Sequence, residues 1–388
     1  MIVRKGFKYR LYPNQAQEAL LAVQFGHKRH IYNWGIEQSR ERYPGYTTLA
    51  NQLPDLKRST ETAWLKAAHS QVLQQALMDL NKAYQNFFDK RAGYPRFKGK
   101  RAKQSIRYPQ PKPDWISADQ RQIKLPKIGW VKVKIHRPLE GEMKFVTVSR
   151  TKSGQYFVSI NVEVMTEEPE VTGKEVGIDL GLYDFVTLSM GEKVKPEEYL
   201  RKAQRKRRRL ARWVSRKQPG SRNHEKARLR LARLDAHIAN QRKDFQHRLS
   251  HRLVREHRLI AMEDLHVRGM MANHRLARSI GDAAWSAFAK MLEYKGAWYG
   301  CRVVKIDRWY PSSRTCAACE FVVDQLPLSI REWACPECGT IHDRDVNAAV
   351  NILKQATVGV TERRNPEVAN ACGQHVRPGT AAAAGQAG

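Results

Sequence analysis

CAACEFVVDQLPLSIREWACPECGTIHDRDVNAAVN, residues 316–351, carries four cysteines as two Cys-x2-Cys pairs. Cys316 and Cys319 form the first, Cys335 and Cys338 the second, with fifteen residues between them. A tetrahedral zinc ion takes four soft donors, and two tight turns can each present a pair. The spacing is that of a zinc site. A disulfide cluster is the alternative. The N-terminal MIVRKGFKYRLYPNQ lacks the apolar core of a secretory signal, so a reducing cytosol is expected. Cys301 and Cys372 are expected to be ordinary thiols. Separated from Cys338 by four residues comes Asp343-Arg344-Asp345, which opens a helical pattern, DVNAAVNILKQA. A zinc knob therefore leads straight into a pair of acids.

The rest of the chain is strongly basic. Its 388 residues hold 69 Lys and Arg against 38 Asp and Glu, a formal net charge of +31. Such a surplus calls for a polyanion, and nucleic acid is the default partner. A ribosomal-type structural role or an anionic membrane surface are the alternatives. No apolar run approaches the roughly 18 residues of a membrane span. Hydrophobic residues make up 41%, enough for more than one buried core.

From the N-terminus, IVRKGFKYRLY (2–12) alternates apolar with basic residues and reads as a strand. Asn14 and Gln17 form a capping-box pattern ahead of a helical stretch reaching Ile36. Residues 44–60 read as loop and a short helix, and Thr62 to Lys90 as a further helix. Gln71, Gln74 and Gln75 lie between its apolar positions, and glutamine can bond adenine bidentately. A polar bundle surface explains them as well. KRAGYPRFKGKRAKQSIRYPQPKP (90–113) interleaves basic residues, Arg96 and Lys98 among them, with Tyr94, Phe97 and Tyr108, the mixture that phosphate contact and base stacking want. Residues 115–165 show period-two alternation and turn signals, an antiparallel sheet or small barrel that strand 2–12 could join. TEEPEVTGK (166–174) reads as a linker. Residues 197–258 read as two antiparallel helices, with ten Lys or Arg in positions 201–217, including Arg205, Arg208 and Arg209. A charge run is usually a solvated face; this density points to a nucleic-acid channel wall, with a localisation signal the weaker alternative.

Three acids stand out. Asp179 sits in GIDLGLYDFVTLSMGEKV (177–194), read as two strands joined by a turn. Glu263 ends the apolar run RLIAME, and Asp345 begins a helix. A carboxylate in an apolar strand is costly unless it has a cation or a partner. Clustered carboxylates repel unless a hard cation neutralises them, and Mg2+ or Mn2+ is the natural one. Two such ions about 3.5–4 Å apart would clamp the attacking water and the leaving oxygen of a phosphodiester. Strand-end acids also cap and pair, so these three alone are a weak signal.

GIDLGL, AMEDL and PSSRTC-x2-C…C-x2-C followed by HDRDVNAAVNI resemble the transposon-encoded TnpB (OrfB) proteins, which are similar to type V CRISPR effector nucleases. KYRLYPNQAQ, YPRFK and LPKIGWVK match as well, so the resemblance spans residues 1 to about 356. It implies a multidomain α/β chain: a β-barrel wedge at 1–13 and 104–172, interrupted by a helical, helix-turn-helix-like recognition domain at 14–103; an RNase H-like (RuvC) nuclease domain at 173–311 and 341–356; and a zinc-ribbon insert at 312–340. The tail 357–388 is expected to be disordered. The resemblance places the metal-binding, catalytic acids at Asp179, Glu263 rather than Asp264, and Asp345 rather than Asp343. It puts Ser70, Gln71 and Gln74 on a helix that reads a short DNA motif. Glu320 stands where the family often has glycine, which should alter a turn and spare the zinc ligands.

The resemblance further implies an RNA-guided, Mg2+-dependent DNA endonuclease of an insertion sequence. It would bind a guide RNA from the transposon end and cut double-stranded DNA beside a short motif, with guide pairing reading the target. A monomeric protein in a ribonucleoprotein, in the prokaryotic cytoplasm at the nucleoid, is expected. A DNA strand-transfer transposase with the same acids, or a non-catalytic regulator of transposition, are the alternatives.

Overall fold

The computed structural model describes residues 2–165 and 173–361. The described residues divide into two compact units, 2–165 with 210–233, and 173–209 with 234–361.

The first unit begins with β1 (Ile2–Tyr12), followed by α1 (Gln15–Glu37), α2 (Tyr46–Asn51), α3 (Leu53–Arg58) and α4 (Ser70–Phe88). Then come β2 (Gln104–Tyr108), β3 (Gln122–Leu125), β4 (Gly129–Lys134), β5 (Glu142–Arg150) and β6 (Tyr156–Met165). The six strands form one antiparallel sheet in the order β2-β5-β6-β1-β4-β3. Alternation in β1 buries Val3, Phe7, Tyr9 and Leu11 on one face. Leu21 and Phe25 of α1 and Val72 of α4 join that sheet core. The capping box of α1 is made: Asn14 Oδ1 accepts from Gln17 N at 2.8 Å, and Gln17 Oε1 accepts from Asn14 N at 3.1 Å. The helix expected from Thr62 to Lys90 is shorter. A 3-10 turn covers Ala63–Ala67, His69 is extended, and α4 starts at Ser70. Gln24 Oε1 accepts from His69 N, so a tertiary bond takes the amide that a continuous helix would use.

The second unit holds β7 (Lys174–Asp179), β8 (Val186–Leu188), β9 (Lys193–Val194), the part of α5 (Tyr199–Ser215) up to residue 209, the part of α6 (Arg222–Glu256) from residue 234, and β10 (His257–Glu263); residues 210–233 of the two helices count with the first unit. After these come α7 (Val267–Met270), α8 (Ala277–Ala283), α9 (Trp285–Tyr299), β11 (Arg302–Ile306), the β12 (Glu332–Ala334) and β13 (Ile341–Asp343) hairpin, and α10 (Arg344–Thr361). Its five-stranded sheet runs β11-β10-β7-β8-β9; β7, β10 and β11 are parallel, while β8 and β9 pair antiparallel. One face packs Val176, Ile178, Ile260 and Met262 against Leu253 of α6 and Phe288 and Leu292 of α9. The other packs Leu259, Ala261 and Ile306 against Ile352 and Ala356 of α10. Residues 177–194 thus give three strands where two were expected, because the chain after Ser189 turns back at Gly191 to add β9.

Helix α10 runs through Thr361, so 357–361 are helical and not part of a disordered tail. The remainder of that tail, Cys372, and linker residues 166–172 lie outside the described residues. Cys301 is a buried free thiol that burial pushes up to about 11. No helix among the described residues is long and apolar enough to cross a membrane.

Candidate metal and nuclease centre

Strands β7 and β10 run parallel, with Ile178 opposite Met262, and each ends on its acid, Asp179 and Glu263. The period-two rule fixes where these acids point. Ile178 and Met262 face α6 and α9, so Asp179 and Glu263 share the face covered by α10. Gly177, two residues before Asp179, lets that helix close in: a Cβ there would stand 1.9 Å from Ala349 O and 3.0 Å from Leu353 Cβ. Ala349 is one helical turn after Asp345, on the same face of α10. The strand pair and the helix therefore bring all three acids together at the C-terminal ends of β7 and β10.

The electrostatics agree. The Asp179 carboxyl is raised to about 7, first by burial and then by Glu263 and Asp345. Glu263 is raised by burial and partly held down by Ser312, whose hydroxyl donates to Oε1 at 2.5 Å. Arg331 Nη1 lies 3.3 Å from both oxygens of Asp345. The same guanidinium stands 5.4 Å from the exposed ring of Tyr183, whose face also carries Lys195 at 3.8 Å.

The neighbouring acids have other work. Asp343 caps α10: its Oδ1 accepts from Asp345 N at 3.1 Å and Val346 N at 3.0 Å. Its Oδ2 takes Lys193 at 2.6 Å. Burial works against its charge, but Lys193 and the two amides outweigh it and hold the carboxyl low. Lys193 also lies 4.0 Å from the buried Asp184, which pairs with Lys195 at 2.8 Å. Asp264 turns away to pair with Arg308.

The cysteines form a second centre. The sulfurs of Cys316, Cys319, Cys335 and Cys338 all lie within 4.8 Å of one another, and none is in a disulfide. Cys316 and Cys338 are 3.7 Å apart, Cys319 and Cys335 3.6 Å. Four sulfurs bound tetrahedrally at about 2.3 Å from zinc would be roughly 3.8 Å apart, so the cradle fits that ion. Contacts to Thr340, first of all its hydroxyl at 3.2 Å, lower the Cys338 thiol to about 6, favouring the thiolate that binds metal. Both knuckles close the same way: Glu320 N donates to Cys316 O, and Gly339 N to Cys335 O, each at 2.9 Å. Glu320 takes φ +65° and Gly339 φ +70°. The turn expected to change at Glu320 is kept, because those hydrogen bonds dictate the left-handed conformation there.

The two centres are tied together by residues that sequence reasoning missed. Asn347 Nδ2 donates to Thr315 O at 2.7 Å and its Oδ1 accepts from Ala317 N at 2.9 Å. Asn351 Nδ2 donates to Ser312 O and Thr315 O. Two buried asparagines four apart in a helix are the signal, since an unpaired amide there would be costly. Arg344 donates to Pro327 O at 2.7 Å and fastens the loop before Arg331. For Ser312, Arg331 and Lys193 no local pattern marks the role.

The expected nucleic-acid contacts fall in both units, Ser70 to Lys98 in the first and Arg205 to Arg209 in the second. Ser70 and Gln74 are exposed at the start of α4, with Ser70 Oγ taking Lys57 at 2.9 Å and Gln71 bonded to Gln110 at 2.7 Å. Gln75 is buried against Met78. Arg96 is exposed, Lys98 half-buried over the Tyr32 ring, and Arg205, Arg208 and Arg209 are exposed on α5.

Three family models match the chain: one described as "Probable transposase" over residues 157–274, a Cas12f1-like TNB domain over 285–352, and a helix-turn-helix domain over 1–45. A Streptomyces pristinaespiralis protein provisionally named an RNA-guided DNA endonuclease is 42% identical over 386 residues, 97% of this chain and 92% of that protein. The chain belongs to the OrfB (TnpB) family. InsQ of Escherichia coli K12, provisionally named likewise, is 35% identical over 373 residues, 90% of this chain and 91% of its own. A solved CRISPR–Cas12f ternary complex aligns with 88% of this OrfB chain and 82% of its own, at 14% identity and a TM-score of 0.37.

Proposed function

We propose that the protein is an RNA-guided, Mg2+-dependent DNA endonuclease of an insertion sequence. The observation that carries the reading is the meeting of two parallel strand ends and a helix start, each bearing one carboxylate. Three oxygen-donor acids, Glu263 and Asp345 beside a half-buried Asp179, suit a hard divalent cation. Asp179, Glu263 and Asp345 would hold Mg2+ or Mn2+, which supplies charge neutralisation at a phosphodiester and a more acidic bound water. Ser312 orients Glu263. Arg331, now on Asp345, is placed to exchange that carboxylate for a substrate phosphate, which its planar fork matches. The Cys316–Cys338 cradle would hold zinc in a closed, structural role, since four thiolates leave no open position.

In domain terms, 1–13 with 104–172 would be the wedge, 14–103 the recognition domain, and 173–311 with 341–356 a RuvC-type core around the ribbon at 312–340. The strand order β11-β10-β7-β8-β9, in which β7, β8 and β9 form an antiparallel meander and the later strands β10 and β11 run parallel to β7, supports an RNase H-like core. The net charge of +31 supports a guide RNA and target DNA as partners.

The test is to purify the full chain, sequence the RNA that comes with it, and challenge the complex with matching and unmatched duplex DNA. Cleavage that follows the RNA sequence is expected. Strand joining of transposon ends without RNA would instead make the protein a strand-transfer transposase. Asp179→Ala should end cleavage and leave RNA binding in place.

A further inference from the structure

A cavity of about 540 Å³ lies in the first unit, between the exposed face of the sheet, α1 and the loop 98–104. Its floor is one register line across four strands. Arg107 of β2 pairs with Thr147 of β5, Thr147 with Ser159 of β6, and Ser159 with Lys8 of β1. Two residues along, Ser105 pairs with Ser149 and adds a second pair of hydroxyls. These residues alternate with the buried Ile106, Val148 and Val158, so the pleat turns all of them to the same open face.

The walls are cationic. Lys28 and Arg29 come from α1, Lys98 and Lys103 from the loop. With Lys8 and Arg107 that makes six cations around one carboxylate, Asp79, which Lys28 already takes at 2.7 Å. The loop is anchored. Asn33 donates to Lys98 O at 3.1 Å and accepts from Lys98 N at 2.8 Å, so the Lys98 ammonium is held 3.2 Å above the Tyr32 ring. Burial and then Lys28 pull Lys98 down to about 8. Arg107 is likewise set over Phe145 and Lys8 over Phe157. Like charges have been gathered into a concave, partly desolvated space, an arrangement that costs stability unless an anion enters.

We propose that this cavity is a backbone-binding subsite for single-stranded RNA, seating the phosphate and ribose of about one or two splayed nucleotides. The cations meet the phosphates. The Thr147 and Ser159 hydroxyls suit a ribose 2′-hydroxyl, which is both donor and acceptor, and deoxyribose offers them neither. A duplex cannot enter a space of this size. The inference rests on the guide-RNA reading above and assigns part of the guide's grip to residues far from the acids in sequence.

The test uses the full-length protein with its copurified RNA, with affinity measured across a range of salt. Lys103→Gln with Arg107→Gln should weaken RNA binding roughly tenfold and flatten the salt dependence by about 0.7 in log–log slope for each phosphate no longer neutralised. Thr147→Val with Ser159→Ala should narrow the preference for RNA over a DNA strand of the same sequence and leave the slope unchanged. RNA substituted with 4-thiouridine should photocrosslink to the wild-type segments 25–32 or 98–107, a readout that needs no variant to fold. If wild type prefers its RNA yet the charge variant keeps the same affinity and slope, or no crosslink falls in those segments, the subsite is wrong and the guided reading stands. If wild type binds the DNA strand as well as the RNA, the guided reading fails and the subsite with it.

Discussion

Gly177 lies directly under Ala349, so close that a Cβ on the glycine would stand 1.9 Å from the alanine carbonyl oxygen. The contact sets the height of α10 above β7, and with it the distance between Asp345 and Asp179. Gly177→Ala should therefore push the helix away, destabilise the protein by about 1–3 kcal/mol, and cut cleavage far more than RNA binding. Gly6→Ala is the control: its Cβ would meet only Asn161 Oδ1, at 3.6 Å, and should be tolerated. Thermal melts and cleavage rates of the two variants check this. Equal activity in both would mean that α10 does not set the site.

Asp179 predicts a pH dependence. Its folded carboxyl titrates near 7, above the ordinary value of 3.8, so the folded state holds that proton more tightly than the unfolded one. The associated stability is fully present below about pH 4 and is lost as pH rises through about 7. Asp179→Asn has no such loss. Without divalent cation, the variant should gain on wild type from pH 5 to 7 and hold a constant lead above that. Added Mg2+ or Mn2+ should raise the wild-type Tm at pH 8 and leave Asp179→Asn nearly unchanged. A flat difference across pH would contradict the raised carboxyl.

The Asp343–Asp345 pair can be separated by conservative changes. Asn is a good N-cap, so Asp343→Asn should keep α10 intact and lose only the Lys193 ion pair. It should retain much of the cleavage activity. Asp343→Ala should cost about 1 kcal/mol in addition, the usual value of a cap. Asp345→Asn should be inactive with unchanged stability or a slight gain. Activity surviving in Asp345→Asn and lost in Asp343→Asn would reverse the assignment.

These roles divide by how local their causes are. The meeting of the four cysteines was legible because their cradle is built from two short Cys-x2-Cys turns. The acids were only weakly marked by ending an apolar run or opening a helix, and the choice of Glu263 over Asp264 and of Asp345 over Asp343 came from the family resemblance; that the three meet follows from strand period and parallel pairing. Ser312 reaches Glu263 across 49 residues, and Lys193 reaches Asp343 across 150. No window of sequence contains such contacts. The glutamines of α4 were ambiguous for a different reason: Gln74 is exposed and Gln75 buried, a distinction set by how the helix packs in the fold.

Zinc should matter to the acids as well as to the ribbon. The first knuckle and the chain leading into it are held by Asn347 and Asn351, while Ser312, in that same segment, orients Glu263. Cys335→Ser should release the metal and lower stability. Cleavage should also fall by more than RNA affinity does. Zinc content by metal analysis and single-turnover cleavage provide the check; full activity in a zinc-free protein would disconnect the two centres.

Glu320 and Gly339 offer a paired test of the knuckles. Both hold a positive φ after the second cysteine of their turn, +65° and +70°. A residue with a Cβ pays about 1–2 kcal/mol for that conformation, and glycine gives back roughly half in the entropy it loses on folding. Glu320→Gly should therefore stabilise the protein by about 0.5–1 kcal/mol, raise its resistance to zinc chelators, and leave cleavage unchanged. Gly339→Ala should do the opposite by a similar amount. Chelator-dependent melting curves of the two variants would separate them. A destabilised Glu320→Gly would mean that the Glu320 side chain supports the ribbon by contacts that outweigh its backbone.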